Sequence, residues 1–272
     1  MGKLREHPSF LHKLVDNSYR ALDNGAYNLT RFNTRSHDIL NLKKCILSCP
    51  YVPIVGEIKY ASPSHRMLMK EEIMPTDIAE MMINSGAIAI SVLTQPYEFR
   101  GSIEHISNIR GKIGAPILMK DVIVSDVQIK TARMIGADSI LFIKSVFDQN
   151  LAESDIEKFL DYANRLELKA VIEAHTDIEF KDTLRLVGSK TDNIIGINNR
   201  DLDTLEVDTS ITAEILNKHS KGENVVISES GISDAQTVRE LRKAGADGFL
   251  VGTSILQSLD LASKLSELAQ AL

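Results

Sequence analysis

The 272-residue chain sets 31 Lys and Arg against 37 Asp and Glu, a net charge of −6, and 43% of its residues are hydrophobic. An acidic balance without a basic stripe argues against a nucleic-acid or anionic-membrane surface, and no apolar run approaches the roughly 18 residues that span a bilayer. The length suits one barrel-sized domain plus a modest extension. An N-terminus without a signal-type apolar core points to the cytoplasm. Cys45 and Cys49 have neither a CxxC pair nor a histidine cluster near them, so no metal is expected and a reducing compartment is.

Residues 1–50 precede the first strand and read as two helices. Ser9 is placed to cap a helix from Phe10 to about Ala21, with Leu11, Leu14, Val15, Tyr19 and Leu22 on one face and Gly25 at the end. A second amphipathic piece runs from Asp38 to about Leu47 and stops before Pro50. This segment is too short for a core of its own and is expected to pack on one end of residues 51–272.

Eight short apolar runs follow: Pro53–Lys59, Ala87–Leu93, Pro116–Asp121, Ser139–Lys144, Ala170–His175, Ile194–Arg200, Val225–Gly231 and Gly248–Ser254. Continuous apolar runs fit strands buried on both faces, hence a parallel sheet. They start about 23 to 34 residues apart with helical stretches between them. Pro75-Thr76-Asp77 opens one helix that ends at Gly86, while Gly136, Gly188 and Gly245 close others. Eight strand–helix units predict an α/β fold, a (β/α)8 barrel, with its active site at the C-terminal strand ends.

Those ends carry the polar groups. Glu57 and Lys59 lie two apart on the first strand and share the parity of Val55, so both line the mouth if Val55 fills the barrel. A structural ion pair explains them equally well in isolation. Lys120, Lys144, Glu173, Asn198 and Glu229 occupy equivalent ends of other strands, and a ring of charge there is costly without a function. Lys144 is the weakest member, since a solvent-facing lysine just past its strand accounts for it as well. His175 reads as a loop residue or a neighbour of the site. Ser230-Gly231 after strand seven and Gly252-Thr253-Ser254 after strand eight let backbone N–H groups approach an anion, at the place where such barrels bind phosphate. A phosphorylated small molecule is the expected partner.

The segments GEIKYASPS, SVLTQPYEFRGS, PILMKD, VIEAH, IGINNRDLDTLEVD, SESGI and LVGTSIL occur in this order. Together they resemble the indole-3-glycerol phosphate synthase family. The resemblance implies ring closure, decarboxylation and dehydration of 1-(2-carboxyphenylamino)-1-deoxyribulose 5-phosphate, without a cofactor. It casts Lys120 as the acid for ring closure, with Glu57 and Glu173 beside it, and Glu173 as the partner in dehydration. Lys59 falls on a lysine that contacts the substrate's acidic groups. Lysine suits acid catalysis only if burial and neighbours bring its pKa towards neutral. Asn198 and Glu229 match residues that hold substrate hydroxyls, while Ser62, Arg200, Ser230, Gly231, Gly252 and Thr253 match the carboxylate- and phosphate-binding set.

Tyr60, His65-Arg66, Met119 and Val122 depart from the family pattern. Val122 offers the benzoate ring a poorer surface than an aromatic side chain, a deficit that Phe99 or Phe142 could offset. The loop from Tyr60 to Lys70 is expected to close over substrate. Two alternatives share the phosphate loops: another sugar-phosphate isomerase or epimerase, and a non-catalytic barrel that binds a phosphorylated metabolite. A monomer or weak homo-oligomer is expected.

Overall fold

The computed structural model describes residues 9–31, 37–62, 68, 73–188 and 191–272. Its strands are β1 (Ile54–Ile58), β2 (Ala87–Leu93), β3 (Ile117–Lys120), β4 (Ser139–Ile143), β5 (Lys169–Ala174), β6 (Ile194–Asn198), β7 (Val226–Glu229) and β8 (Gly248–Val251). All neighbours pair in parallel, and β8 returns to β1 to close the barrel. Every residue of β1, β4, β6, β7 and β8 is buried, the two-sided burial that the continuous apolar runs require. The register sets Leu93 beside Lys120, Ile143 beside Glu173 and Asn198 beside Glu229. The polar strand ends therefore reach one rim together.

The connecting helices are punctuated as their sequences demand. Pro75 occupies the first turn of the helix Pro75–Asn84, where its missing N–H is not needed. Ser125 and Gln128 form a reciprocal capping box on the helix Asp126–Ile135, and left-handed Gly136 ends it.

In the extension, α1 (Phe10–Asp23) starts where Ser9 predicts and runs two residues past Ala21. Its buried face holds Leu11, Leu14 and Val15, which join the same apolar cluster as the barrel. The second helix, α2 (Leu42–Ser48), begins four residues later than the pattern from Asp38 suggests. The reason is tertiary. The Leu40 N–H donates to Asp138 Oδ1 at 2.8 Å, which keeps that stretch out of the helix, and Asn41 takes over as cap by accepting from the Lys44 N–H at 3.0 Å.

Candidate active site

The C-terminal rim encloses a cavity of about 380 Å³, in the size range of small-ligand sites. Glu57, Lys59, Ser62, Lys120, Glu173, Asn198, Arg200, Ser230, Gly231, Gly252 and Thr253 all line it. Of the expected residues, Lys144 lies elsewhere, and Glu229 is the exception within the cluster itself. Its side chain is fully buried and stands behind Lys120 instead of at the cavity wall.

Lys120 is the hub. Its ammonium meets Glu229 Oε2 directly and lies 3.6 Å from Glu173 Oε2 and 3.7 Å from Glu57 Oε2. β3 thus presents one cation to carboxylates from β1, β5 and β7. Lys59 bonds Glu57 Oε1, so Glu57 and Lys59 do form an ion pair, and that pair belongs to the cavity wall. Two glycines make the crowding possible. A Cβ at Gly196 would strike Glu229 Oε1, and one at Gly252 would sit 2.7 Å from Glu57 Oε1.

Burial alone pushes the Lys120 ammonium down, but Glu229, Glu173 and Glu57 outweigh it and hold the proton well above the usual lysine range. The shift towards neutral that would suit a lysine acid is therefore not met in this arrangement, because three carboxylates face one cation. Burial raises Glu173 too, yet Lys120, His175 and Asn198 overcome it and keep this carboxyl ionised far below its ordinary value. Burial likewise opposes the ionised form of Glu57, and Lys59 and Lys120 reverse the balance. For Glu229 burial prevails over the attraction of Lys120, and the carboxyl is pushed up to about 7. The cluster therefore contains a fully charged donor beside a group able to exchange a proton near neutral pH.

Asn198 donates from Nδ2 to Glu173 Oε1 at 3.1 Å, and its Oδ1 accepts from the Arg200 N–H at 3.0 Å. The Arg200 guanidinium is anchored by the Leu205 carbonyl at 2.8 Å and lines the cavity instead of pointing off a surface turn. Across the mouth, Ser230 and Gly231 both take positive φ, 66° and 78°. A Cβ at Gly231 would lie 2.6 Å from Val207 Cγ1. The Ser254 hydroxyl donates to the Ile232 carbonyl at 2.8 Å and ties the loop after β8 to the loop after β7. The helix that starts at Thr253 is a single turn, Thr253–Leu256. Its macrodipole is correspondingly small, which leaves any anion to the local N–H groups and Arg200.

Several residues behave otherwise than the pattern suggests. Lys144 is buried instead of solvent-facing; it pairs with Asp148 and lines a separate hollow, away from the rim cluster. Phe142 is enclosed among Phe147 and Phe159 and takes no part in the cavity, whereas Phe99 lines it beside Val122. His175 sits closer to the chemistry than its loop position implies. Its Nε2 is 3.1 Å from Glu173 Oε1 and its Nδ1 3.5 Å from Glu179 Oε2, a Coulombic contact off the hydrogen-bond axis. Burial would lower this imidazole, but Glu173 and Glu179 raise it to about 10. Phe10 and Leu14 of α1 also line the cavity. Their apolar spacing marked a packed face without showing that the face covers the mouth. His65-Arg66 and most of the expected lid lie outside the described residues.

Among known proteins, the family described as indole-3-glycerol phosphate synthase matches residues 25–268. The chain is 38% identical to the indole-3-glycerol phosphate synthase of Aquifex aeolicus over 98% of its own length and 99% of that protein's. It is 33% identical to the enzyme of the same name from Aliarcobacter butzleri, over 90% of this chain and 89% of that one. Among solved structures, thiamine phosphate pyrophosphorylase from Pyrococcus furiosus superposes with a TM-score of 0.58, covering 85% of this chain and 97% of its own, at 16% identity. That likeness shows the barrel fold alone.

Proposed function

The chain belongs to the indole-3-glycerol phosphate synthase family, and we propose that its rim cavity closes the ring of 1-(2-carboxyphenylamino)-1-deoxyribulose 5-phosphate. A bond forms between the aromatic carbon that bears the carboxylate and the ketone carbon. The ketone oxygen takes a proton and becomes a hydroxyl. Carbon dioxide then leaves, and the hydroxyl departs as water while the neighbouring carbon loses a proton, giving indole-3-glycerol phosphate.

One observation carries this reading: a single ammonium, Lys120, within 3.7 Å of carboxylates from three other strands, beside glycine-bearing loops at the phosphate end of the mouth. Lys120 supplies the proton to the ketone oxygen, which becomes an alkoxide as the ring closes and is then a stronger base than the three carboxylates that hold the proton on the lysine in the free site. Glu173, kept ionised and oriented by Asn198 and His175, takes the proton lost during dehydration. Lys59, anchored on Glu57, faces the substrate carboxylate with Ser62. Glu229 holds Lys120 in place and stores a proton near neutral pH, a role that suits its position behind the lysine better than contact with substrate hydroxyls. Arg200, Ser230, Gly231, Gly252 and Thr253 grip the phosphate, with Arg200 offering a planar array of donors. Phe10, Phe99 and Val122 enclose the aromatic ring. The two free cysteines fit a reducing cytoplasm.

The test is direct. Purified protein is expected to generate indole-type absorbance and fluorescence from this substrate, and Lys120→Ala to lose turnover about 1,000-fold while affinity changes only a few-fold. No product at high enzyme concentration, or a Lys120→Ala variant with normal turnover, defeats the reading.

A further inference from the structure

The strand end that carries Lys120 is tied down by a buried network outside the roles assigned so far. Asp121, the next residue, is buried and has no cation among its hydrogen-bond partners in the described residues. Its Oδ2 accepts from the Tyr27 hydroxyl at 2.8 Å and the Thr94 hydroxyl at 2.5 Å, and its Oδ1 from the Val122 N–H at 2.8 Å. Thr94 also donates its backbone N–H to the Lys120 carbonyl at 3.1 Å, so one residue at the end of β2 grips both neighbours on β3. Gln128 completes the frame. Its Nε2 donates to the Val122 carbonyl at 3.0 Å and to the Tyr27 hydroxyl at 3.2 Å.

A carboxylate enclosed among neutral donors is an expensive packing element, since burial raises its pKa to about 6 despite the donors. What it provides is rigidity: hydroxyls from two other segments, Tyr27 and Thr94, converge on one small group that is already fixed to the N–H of its own neighbour Val122. Lysine has a long, flexible stem, so the position of its ammonium depends on a backbone that does not shift. A displacement of about 1 Å at a reacting group costs on the order of 100-fold in rate.

We infer that Asp121 is a positioning residue for Lys120, and that Tyr27 makes the N-terminal extension a working part of the site by holding Asp121 from the turn after α1, where Tyr27 is itself fixed by Gln128 and Thr131 of the helix Asp126–Ile135. This rests on the reading of Lys120 as the proton donor.

Full-length Asp121→Asn, Thr94→Val, Thr94→Ser and Tyr27→Phe separate positioning from simple stability when kcat and KM are measured per folded molecule, with Lys120→Ala as control. Asparagine keeps an acceptor for the Val122 N–H but presents an NH2 to the Tyr27 and Thr94 hydroxyls, which can no longer donate to it; valine removes the Thr94 hydroxyl at nearly constant volume, and phenylalanine removes only the phenol oxygen. The expected kcat falls about 10- to 100-fold for Asp121→Asn and Thr94→Val and about 3- to 10-fold for Tyr27→Phe, with KM within about 2-fold and Thr94→Ser restoring most of the loss. Normal kcat in Thr94→Val and Tyr27→Phe overturns the inference, whatever their melting temperatures, and these two decide alone if Asp121→Asn does not fold. Should Lys120→Ala itself keep normal turnover, the reading of the lysine fails first; if that variant collapses while the others turn over normally, only the positioning role is lost.

Discussion

At the N-terminal end of the barrel, Asp138 is wholly enclosed, and each of its oxygens is met. Oδ2 accepts from Arg110 Nη1 and the Ile117 N–H, both at 2.7 Å; Oδ1 accepts from the Leu40 N–H at 2.8 Å and lies 3.3 Å from His37 Nε2. At the C-terminal end, Glu173 and Glu229 are as deeply buried, yet Glu173 Oε2 and Glu229 Oε1 have no hydrogen-bond partner among the described residues. The first arrangement spends its polar groups on one another and joins α2, β3 and β4. The second leaves acceptor capacity around Lys120, at the cavity wall for Glu173 and behind it for Glu229, a costly state that folding alone would not select. Buried charge thus acts as architecture at one end of this molecule and as chemistry at the other, the division expected of this fold.

The contrast can be broken most forcefully by paired substitutions. Lys120→Ala is expected to remove about three orders of magnitude of kcat, whereas Asp138→Asn should leave kcat per folded molecule unchanged. A large loss of kcat in Asp138→Asn would erase the distinction. Stability should reverse the ranking. Asp138→Asn removes the counter-charge of the Arg110 guanidinium, which keeps its bonds to the Ile113 and Ala115 carbonyls; the loss costs about 3 kcal/mol and lowers the melting temperature by roughly 10 °C, as calorimetry or circular dichroism would record.

A smaller effect should come from the phosphate side of the mouth. Gly231→Ala sets a Cβ 2.7 Å from Thr209 Cγ2 at a φ of +78°, so the loop must move. KM is expected to rise about 10-fold, with inorganic phosphate weakening in parallel as a competitive inhibitor and kcat within about 2-fold. An unchanged inhibition constant for phosphate would move the anion site elsewhere.

The smallest effect is one of pH. His175 has its folded pKa raised from 6.5 to about 10. Its contribution to stability is therefore complete below pH 6.5 and disappears as pH climbs through about 10. The melting temperature should decline across that window, and His175→Gln should flatten the decline. An equal decline in the variant would show that Glu173 does not hold a charged imidazole.

Much of this was legible along the chain because it depends on near neighbours. Continuous apolar runs marked all eight strands, Ser9 and Pro75 marked helix starts, parity paired Glu57 with Lys59, and position at strand ends set Lys120, Glu173 and Asn198 on the same rim. Closure of the barrel decided the remainder. It set Glu229 behind Lys120, swung Lys144 to Asp148, buried Phe142 while leaving Phe99 at the cavity, and delayed α2 through Asp138. It also brought Tyr27 to Asp121, a partner 94 residues away. Hydrogen-bonding periodicity is a property of consecutive residues, but the pKa of Lys120 is the sum of burial and three carboxylates on other strands. The acid role implied by the resemblance asked for a lysine brought towards neutral; the assembled charges send it the other way.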